Sequence, residues 1–462
     1  MALGKERAEQ RDLWVATQDL PRSPGHPFYE KLNRVLAEAE FDGYVESLCE
    51  PFYAAKLGRP SIPPGVYFRM LFIGYFEGID SQRGIAWRCS DSLALREFLR
   101  LGASERAPDH SSLTRVRQRL PLSVHEQVFT KVLEIARERG LLRGRRVAID
   151  ATTLEANAAM RTIVRKKTGE DWKAYLRRLA QEAGIGEPTD DDLRKFDKGR
   201  KGKRVSNAEW ESPTDPDSRI ARMKKGHTHL AYKAEHGVDL DSELVLAATI
   251  HPADRADSES LPETLVQAQL NAAEAGSDTS IEDVVADKGY QKAELIASLD
   301  SCGVRTYIPE RRDSRRRRWT NKPEEHQQAF YGNRRRCRGA RGRKLQRLRS
   351  ERAERSFAHV CDTGGARRSW IRGLLEVTKR YLMQVAGHNL GILMRTLFGI
   401  GKPRALQGSS GVFARVLGAL RWLMRPIASP AGAWAVTIPF GRRAHRLGQL
   451  PDAVHPQRLV AA

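Results

Sequence analysis

The sequence predicts an α/β fold: a mixed sheet flanked by helices, with an all-α N-terminal domain before it and a helical C-terminal tail after it. Three observations lead there. Apolar residues recur at helical spacing through roughly the first 140 of the 462 residues. Short β-branched runs then appear, two of which close on an aspartate. Helical patterns fall between those runs, the alternation that lays helices on the faces of a sheet.

Taken in order, Phe28–Leu36, Val66–Phe76 and Val124–Ala136 carry helical periodicity, and Pro60, Pro63 and Pro64 break the chain before the second. In Pro108-Asp109-His110-Ser111-Ser112-Leu113, Asp109 or Ser111 can cap the free amides of a helix. Arg115, Arg117 and Arg119 follow and could set cations along a DNA backbone. Arg146–Asp150 reads as a strand, whereas 160–225 is polar and densely charged, an insertion at about 158–225 with one helix near Trp172–Ala183. Strands are expected again at Thr228–Ala234, Leu244–Ile250, Asp283–Asp287 and Val304–Ile308. Helices are expected at Leu261–Ala275, Lys292–Leu299 and Ser369–Phe398, with Leu374, Val377, Tyr381 and Val385 facing the core. The division implied is a helical domain over 1–140 for DNA binding or self-association, a catalytic domain over 141–400, and a partly flexible tail over 401–462.

The 79 Lys and Arg against 57 Asp and Glu give a formal charge of +22, which calls for counter-charge, most commonly nucleic acid. Between Arg311 and Arg355 there are 18 basic and 5 acidic residues, a net +13 in about a tenth of the chain. Such density predicts local disorder until a polyanion binds. The five scattered cysteines form no CxxC pair and fit a reducing cytoplasm better than a disulfide framework or a zinc ribbon. The charged N-terminus does not look like a signal peptide, and no apolar run reaches transmembrane length, so no membrane role is expected.

The chemistry is suggested by Val147-Ala148-Ile149-Asp150 and Val284-Val285-Ala286-Asp287. Functional groups collect beyond the carboxyl ends of strands in open α/β sheets. Two carboxylates meeting there repel unless a cation lies between them, and Mg²⁺ prefers oxygen ligands. A pair of such ions can activate one oxygen and stabilise another in phosphodiester chemistry. Either aspartate alone is better read as a turn or cap residue; the pairing carries the argument. His227, His229, His236 and His251 could form a metal cluster, but the acids already meet that need.

The run Ala148-Ile149-Asp150-Ala151-Thr152-Thr153-Leu154-Glu155-Ala156-Asn157 resembles the first-aspartate motif of bacterial insertion-sequence DDE transposases. Ala286-Asp287-Lys288-Gly289-Tyr290 resembles the second motif, and Glu354-Arg355-Ser356-Phe357-Ala358-His359 the third, a glutamate on a helix after an Arg-rich stretch. Pro108–Leu113, Thr214–Arg219 and Asn389-Leu390-Gly391 also fit, so that the likeness runs over about residues 20–405. The resemblance implies a ribonuclease-H-like core, two Mg²⁺ (or Mn²⁺) ions held by Asp150, Asp287 and Glu354, and cleavage and strand transfer at transposon ends. It further implies terminal inverted repeats and target DNA as partners, a homodimer that synapses two ends, and a bacterial, nucleoid-associated protein.

Relatives carry Arg and Lys at fixed intervals around the third acid, where this chain has Ser350 and Cys361. Arg347, Arg352, Arg355 or Arg367 are the alternatives for phosphate contact, with Lys288 beside Asp287. Glu351, three residues before Glu354, competes for the third-acid role. The rival readings are a non-transposing ribonuclease-H-like nuclease or resolvase, and a transposase-derived DNA-binding protein without catalysis.

Overall fold

The computed structural model describes residue 16 and residues 25–406, apart from 55–57, 59, 103, 202–204, 223–225 and 312–317. The expected tail therefore lies outside the described residues from 407 onward.

The N-terminal region is helical, as its periodicity predicts: α1 (Pro27–Glu38), α2 (Phe41–Cys49), α3 (Pro64–Glu77), α4 (Gln82–Asp91), α5 (Leu93–Phe98), α6 (His110–Arg119) and α7 (Leu122–Glu138). Helix α3 is buried from Gly65 to Phe76, which explains why it is apolar almost all round. Its one buried charged residue, Arg69, is 1% exposed and is held by both carboxylate oxygens of Asp42 at 2.8 Å, by Asn33 and by the Phe98 carbonyl. A buried cation persists only when every donor is answered in this way.

Then follow β1 (Arg146–Glu155), β2 (Val164–Arg165), α8 (Trp172–Glu182), α9 (Asp190–Gly199), β3 (Trp210–Glu211), β4 (Arg219–Arg222), β5 (Thr228–Asp239) and β6 (Val245–Pro252). After them come α10 (Asp257–Glu274), β7 (Asp283–Ala286), α11 (Ala293–Ser301), β8 (Arg305–Tyr307), α12 (Glu324–Arg338), α13 (Ala340–Phe357) and α14 (Leu374–Phe398). The main sheet has the order β4-β5-β1-β7-β8, and β6 pairs with β5 beyond β4. Strands β5 and β6 run antiparallel to their neighbours, whereas β1, β7 and β8 are parallel. Three antiparallel strands feeding two parallel ones make the mixed sheet that the sequence predicts, in a ribonuclease-H-like arrangement.

Helix α10 covers one face, where Ala268 lies against Gly237 of β5. Helices α13 and α14 cover the other, through Ser356 and Tyr381 on His236. The N-terminal helices share this core: the Tyr75 ring of α3 packs where a Cβ on Gly387 of α14 would stand only 2.8 Å away, so that only glycine admits it.

Three local expectations change. The charged excursion contains a second helix, α9, started by a reciprocal cap between Thr189 and Asp192 and packed on α8 through Leu193. Strand β5 continues past the expected end at Ala234 to Asp239, because Gly237 fits a bulge against β6. From Glu324 the basic stretch forms α12 and α13 rather than a disordered run, since its arginines find acceptors within the chain, while 312–317 lie outside the described residues.

Candidate active site

Ile149 pairs with Ala286 in the parallel register of β1 and β7. Asp150 and Asp287 are the next residues of neighbouring strands, about 5 Å apart at the backbone. The β-branched runs fix this: Val147–Ile149 and Asp283–Ala286 are buried up to the residue before each acid, and the acids fall where burial ends.

Each carboxylate is already oriented. Oδ1 of Asp150 accepts from the Ala151 amide at 2.9 Å, and Oδ2 accepts from Arg349 Nη1, also at 2.9 Å. Asp287 caps a short turn over Lys288–Tyr290, with Oδ1 accepting from the Gly289 amide at 2.6 Å. Gly289 is needed there, because a Cβ would stand 2.8 Å from that oxygen and 2.7 Å from Asp257 Oδ2.

Helix α13 lies across the sheet on the Asp150 face. Gln346 donates to the carbonyls of Ala286 and Tyr307, at the carboxyl ends of β7 and β8. Arg352 and Arg355 instead reach back to the Leu240 carbonyl and to Glu243, beside the start of β1. At about 100° per residue, Glu354 lies about 200° round the helix from Arg352. Arg349, the residue of α13 that meets Asp150, lies about 140° round the helix from Glu354, whose exposed flank is shared with Ser350. Ser350 donates to Glu354 at 3.1 Å. Glu351 points elsewhere, is half exposed and is ion-paired to Arg355. Among the described residues no three acidic, histidine or cysteine side chains stand close enough together to hold a metal ion. The structure thus brings Asp150 and Asp287 together at the backbone and does not bring Glu354 to them.

The cations read as DNA contacts divide sharply. Arg117 is buried and ion-paired to Glu376 at 2.6 Å, Arg119 stacks on Tyr53, and Arg115 is exposed; the three do not form one stripe, since residues two apart on a helix diverge. Arg352, Arg355 and Arg367 are engaged within the chain, Arg367 by Asp362 and Thr152. Lys288 and Arg347 are exposed, and Arg347 shares the flank of Glu354 seven residues on.

Sequence reading missed the network behind Asp287. Glu235, fully buried, accepts from Ser260 at 2.7 Å, Thr264 at 2.5 Å and Tyr290 at 2.8 Å. Lys233, 5% exposed, pairs with Asp257 at 2.7 Å and donates to Ser260. Burial raises the Glu235 carboxyl, against the pull of its donors and of Lys233. Lys233 and Glu235, two charged residues two apart within the apolar-rich middle of β5, were the available signal, because both must face the same side. His236, next to them and paired in register with Asp150, faces the other side, donating to or accepting from Ser356 at 2.9 Å and Tyr381 at 2.8 Å. Burial pushes its imidazole down to about 3, so it is neutral and ties α13 and α14 to the strand beside Asp150.

Two family models match the chain: one described as a transposase domain (DUF772) over residues 17–119, the other as a transposase DDE domain over residues 143–387. No curated protein matches. The second match takes in β1, β7, α13 and all three candidate acids.

Proposed function

Because the chain belongs to the DDE transposase family and is therefore an enzyme acting on DNA, we propose that it cuts and joins DNA at the inverted-repeat ends of an insertion sequence through Asp150, Asp287 and Glu354. The observation that carries this reading is the adjacency of Asp150 and Asp287 at the ends of parallel β1 and β7. The donor set suits a hard divalent cation: it offers carboxylate oxygens alone, and Asp150 already takes a cationic partner in Arg349. Mg²⁺ or Mn²⁺ held by these acids would supply charge stabilisation and a more acidic attacking oxygen.

The chain's own residues do the rest. Asp150 and Asp287 present fixed oxygens, because the Ala151 and Gly289 amides hold one oxygen of each. Glu354 completes the set once its carboxylate leaves Ser350 and reaches the two aspartates. Exposed Arg347 and Lys288 border the same opening and receive the DNA backbone. Water cuts the end first, and the freed 3′-hydroxyl attacks target DNA in the same site, without a covalent protein intermediate. Two copies of the chain hold two ends.

Incubation with DNA bearing the flanking ends of the element, with and without Mg²⁺, tests the reading. Metal-dependent nicks and joined products are expected. Nicks without joining would favour a nuclease, and binding without nicks a protein that no longer catalyses.

A further inference from the structure

The turn that carries Asp287 is anchored from outside its own strand. Tyr290 closes that turn, is 1% exposed and donates its hydroxyl to Oε1 of Glu235 at 2.8 Å. Glu235 lies on β5 opposite Ala151, whose amide orients Asp150, and is fully buried. Both of its oxygens are fixed by α10. Oε1 also accepts from Ser260 at 2.7 Å, and Oε2 accepts from Thr264, whose hydroxyl meets that of Thr249 on β6 at 2.6 Å. Lys233 stands 3.7 Å from Oε1, and its bonds go to Ser260, the Arg255 carbonyl and Asp257. A buried carboxylate answered on both oxygens is a rigid point of the core. The middle of the turn is pinned as well. A Cβ on Gly289 would stand 2.8 Å from Asp287 Oδ1 and 2.7 Å from Asp257 Oδ2, so the two carboxylates lie on either side of the glycine. Asp257 can stand so near a second acid because its other oxygen is paired to Lys233 at 2.7 Å.

We propose that Glu235 is a positioning residue for the reaction: acting through Tyr290, it holds the turn that carries Asp287, so that this carboxylate meets a divalent cation already ordered. The inference rests on the reading of Asp287 as a metal-holding acid. A carboxylate on a loose turn gives up conformational freedom when it takes up a cation, and its affinity falls accordingly; one on an anchored turn has given that freedom up on folding. The anchor also bears on the spacing of the two aspartates. Strand β5 flanks β1 on one side and β7 flanks it on the other, so the bond from Glu235 to Tyr290 reaches past β1 and ties its neighbours together.

The test titrates Mn²⁺ into the metal-free full chain by calorimetry, beside amide hydrogen exchange of the segment from Asp287 to Gln291 in EDTA. Tyr290→Phe keeps the ring in the core and removes the bond to Glu235. It should weaken Mn²⁺ binding about tenfold and speed exchange of the turn, and excess metal should recover most of the cleavage lost at limiting metal. Glu235→Gln keeps an oxygen for Tyr290 and should bind Mn²⁺ within about threefold of the parent, whereas Glu235→Leu should match Tyr290→Phe or be weaker. Parental Mn²⁺ binding or unchanged exchange in Tyr290→Phe, or a Gln variant as weak as Leu, would overturn the proposal. Asp287→Asn separates the two readings. If it retains the metal, the acid assignment fails and this inference with it; if it loses the metal while Tyr290→Phe binds as the parent does, this inference alone fails.

Discussion

Arg349 stands on the oxygen of Asp150 that a metal ion would use, which makes Arg349→Ala the sharpest probe of the site. Its Nη1 lies 2.9 Å from Asp150 Oδ2, with the side chains 14% and 20% exposed. A charge pair at about 4 Å and an effective dielectric of about 20 attracts by about 4 kcal/mol, and ordering and desolvation reduce this to about 2 kcal/mol net. Asp150 and Asp287, at the spacing of neighbouring strands, repel by about 3 kcal/mol on the same scale. Removing the guanidinium leaves that repulsion uncompensated, so the metal-free variant should lose about 2 kcal/mol, or about 2–3 °C in melting temperature for a unit of this size. A divalent ion replaces the lost cation. The deficit of the variant should then shrink to under about 1 kcal/mol at metal concentrations near a hundredfold above Kd, where binding itself contributes about 2.7 kcal/mol to either protein. Calorimetric melts in EDTA and in Mg²⁺ or Mn²⁺ measure both numbers. A deficit identical in the two conditions would refute the reasoning and leave Arg349 as an anchor for α13 alone.

Asp150→Asn, Asp287→Asn and Glu354→Gln should each reduce end cleavage by about a thousandfold or more while DNA affinity changes little, and Glu351→Gln should cut within a fewfold of the parent; the reverse pattern for the two glutamates in a nicking assay would transfer the third role to Glu351. His236, held near 3 by burial, stays neutral in the folded state while the unfolded chain protonates near 6.5. Its contribution is thus whole above pH 6.5 and is lost as pH falls toward 3, about 2 kcal/mol by pH 5, and His236→Gln should flatten the pH slope of melting temperature in that window. An unchanged slope would assign the acid sensitivity to other groups. Arg347→Ala should weaken DNA binding across all sequences and lower the salt slope by about one, whereas Arg352→Ala, which removes a tie to the Leu240 carbonyl, should cost stability first; filter binding across a salt series and a melt separate the two.

The parts of the fold legible in the sequence were those with a strong period. Val66–Phe76 and Val124–Ala136 carry their own helical signal, and the β-branched runs before Asp150 and Asp287 carry their own strands. Adjacency was not legible, because the pairing of Ile149 with Ala286 joins residues more than a hundred positions apart and depends on β5 inserting on the other side of β1. Nor was α9, whose ten residues hold one buried apolar side chain and rely on a cap rather than on a stripe. The buried Lys233 and Glu235 escaped for a related reason: charged residues in a strand read as solvent-facing until the helix that supplies Ser260 and Thr264 is in place.

Charge was the loudest signal in the sequence, and the structure redirects it. The net +13 of 311–355 suggests a surface waiting for DNA, yet much of it is spent inside the molecule. Arg341 and Arg305 both pair with the buried Asp283 that opens β7, Arg334 grips Glu310 with two bonds, Arg336 reaches the Thr306 carbonyl, and Arg355 shares Glu243 with Arg395. These bonds hold α12 and α13 on the sheet. A count of basic residues therefore overstates the phosphates this region can neutralise, because a guanidinium already paired releases no counterion on binding. Among the described residues that the proposed function gives to DNA, Lys288 on the turn after Asp287 and Arg347 on α13 stay exposed. Both stand at the opening where the strands end. The same basic stretch thus supplies the frame that holds α12 and α13 and, under the proposed function, exposed charge such as Arg347 to meet the substrate.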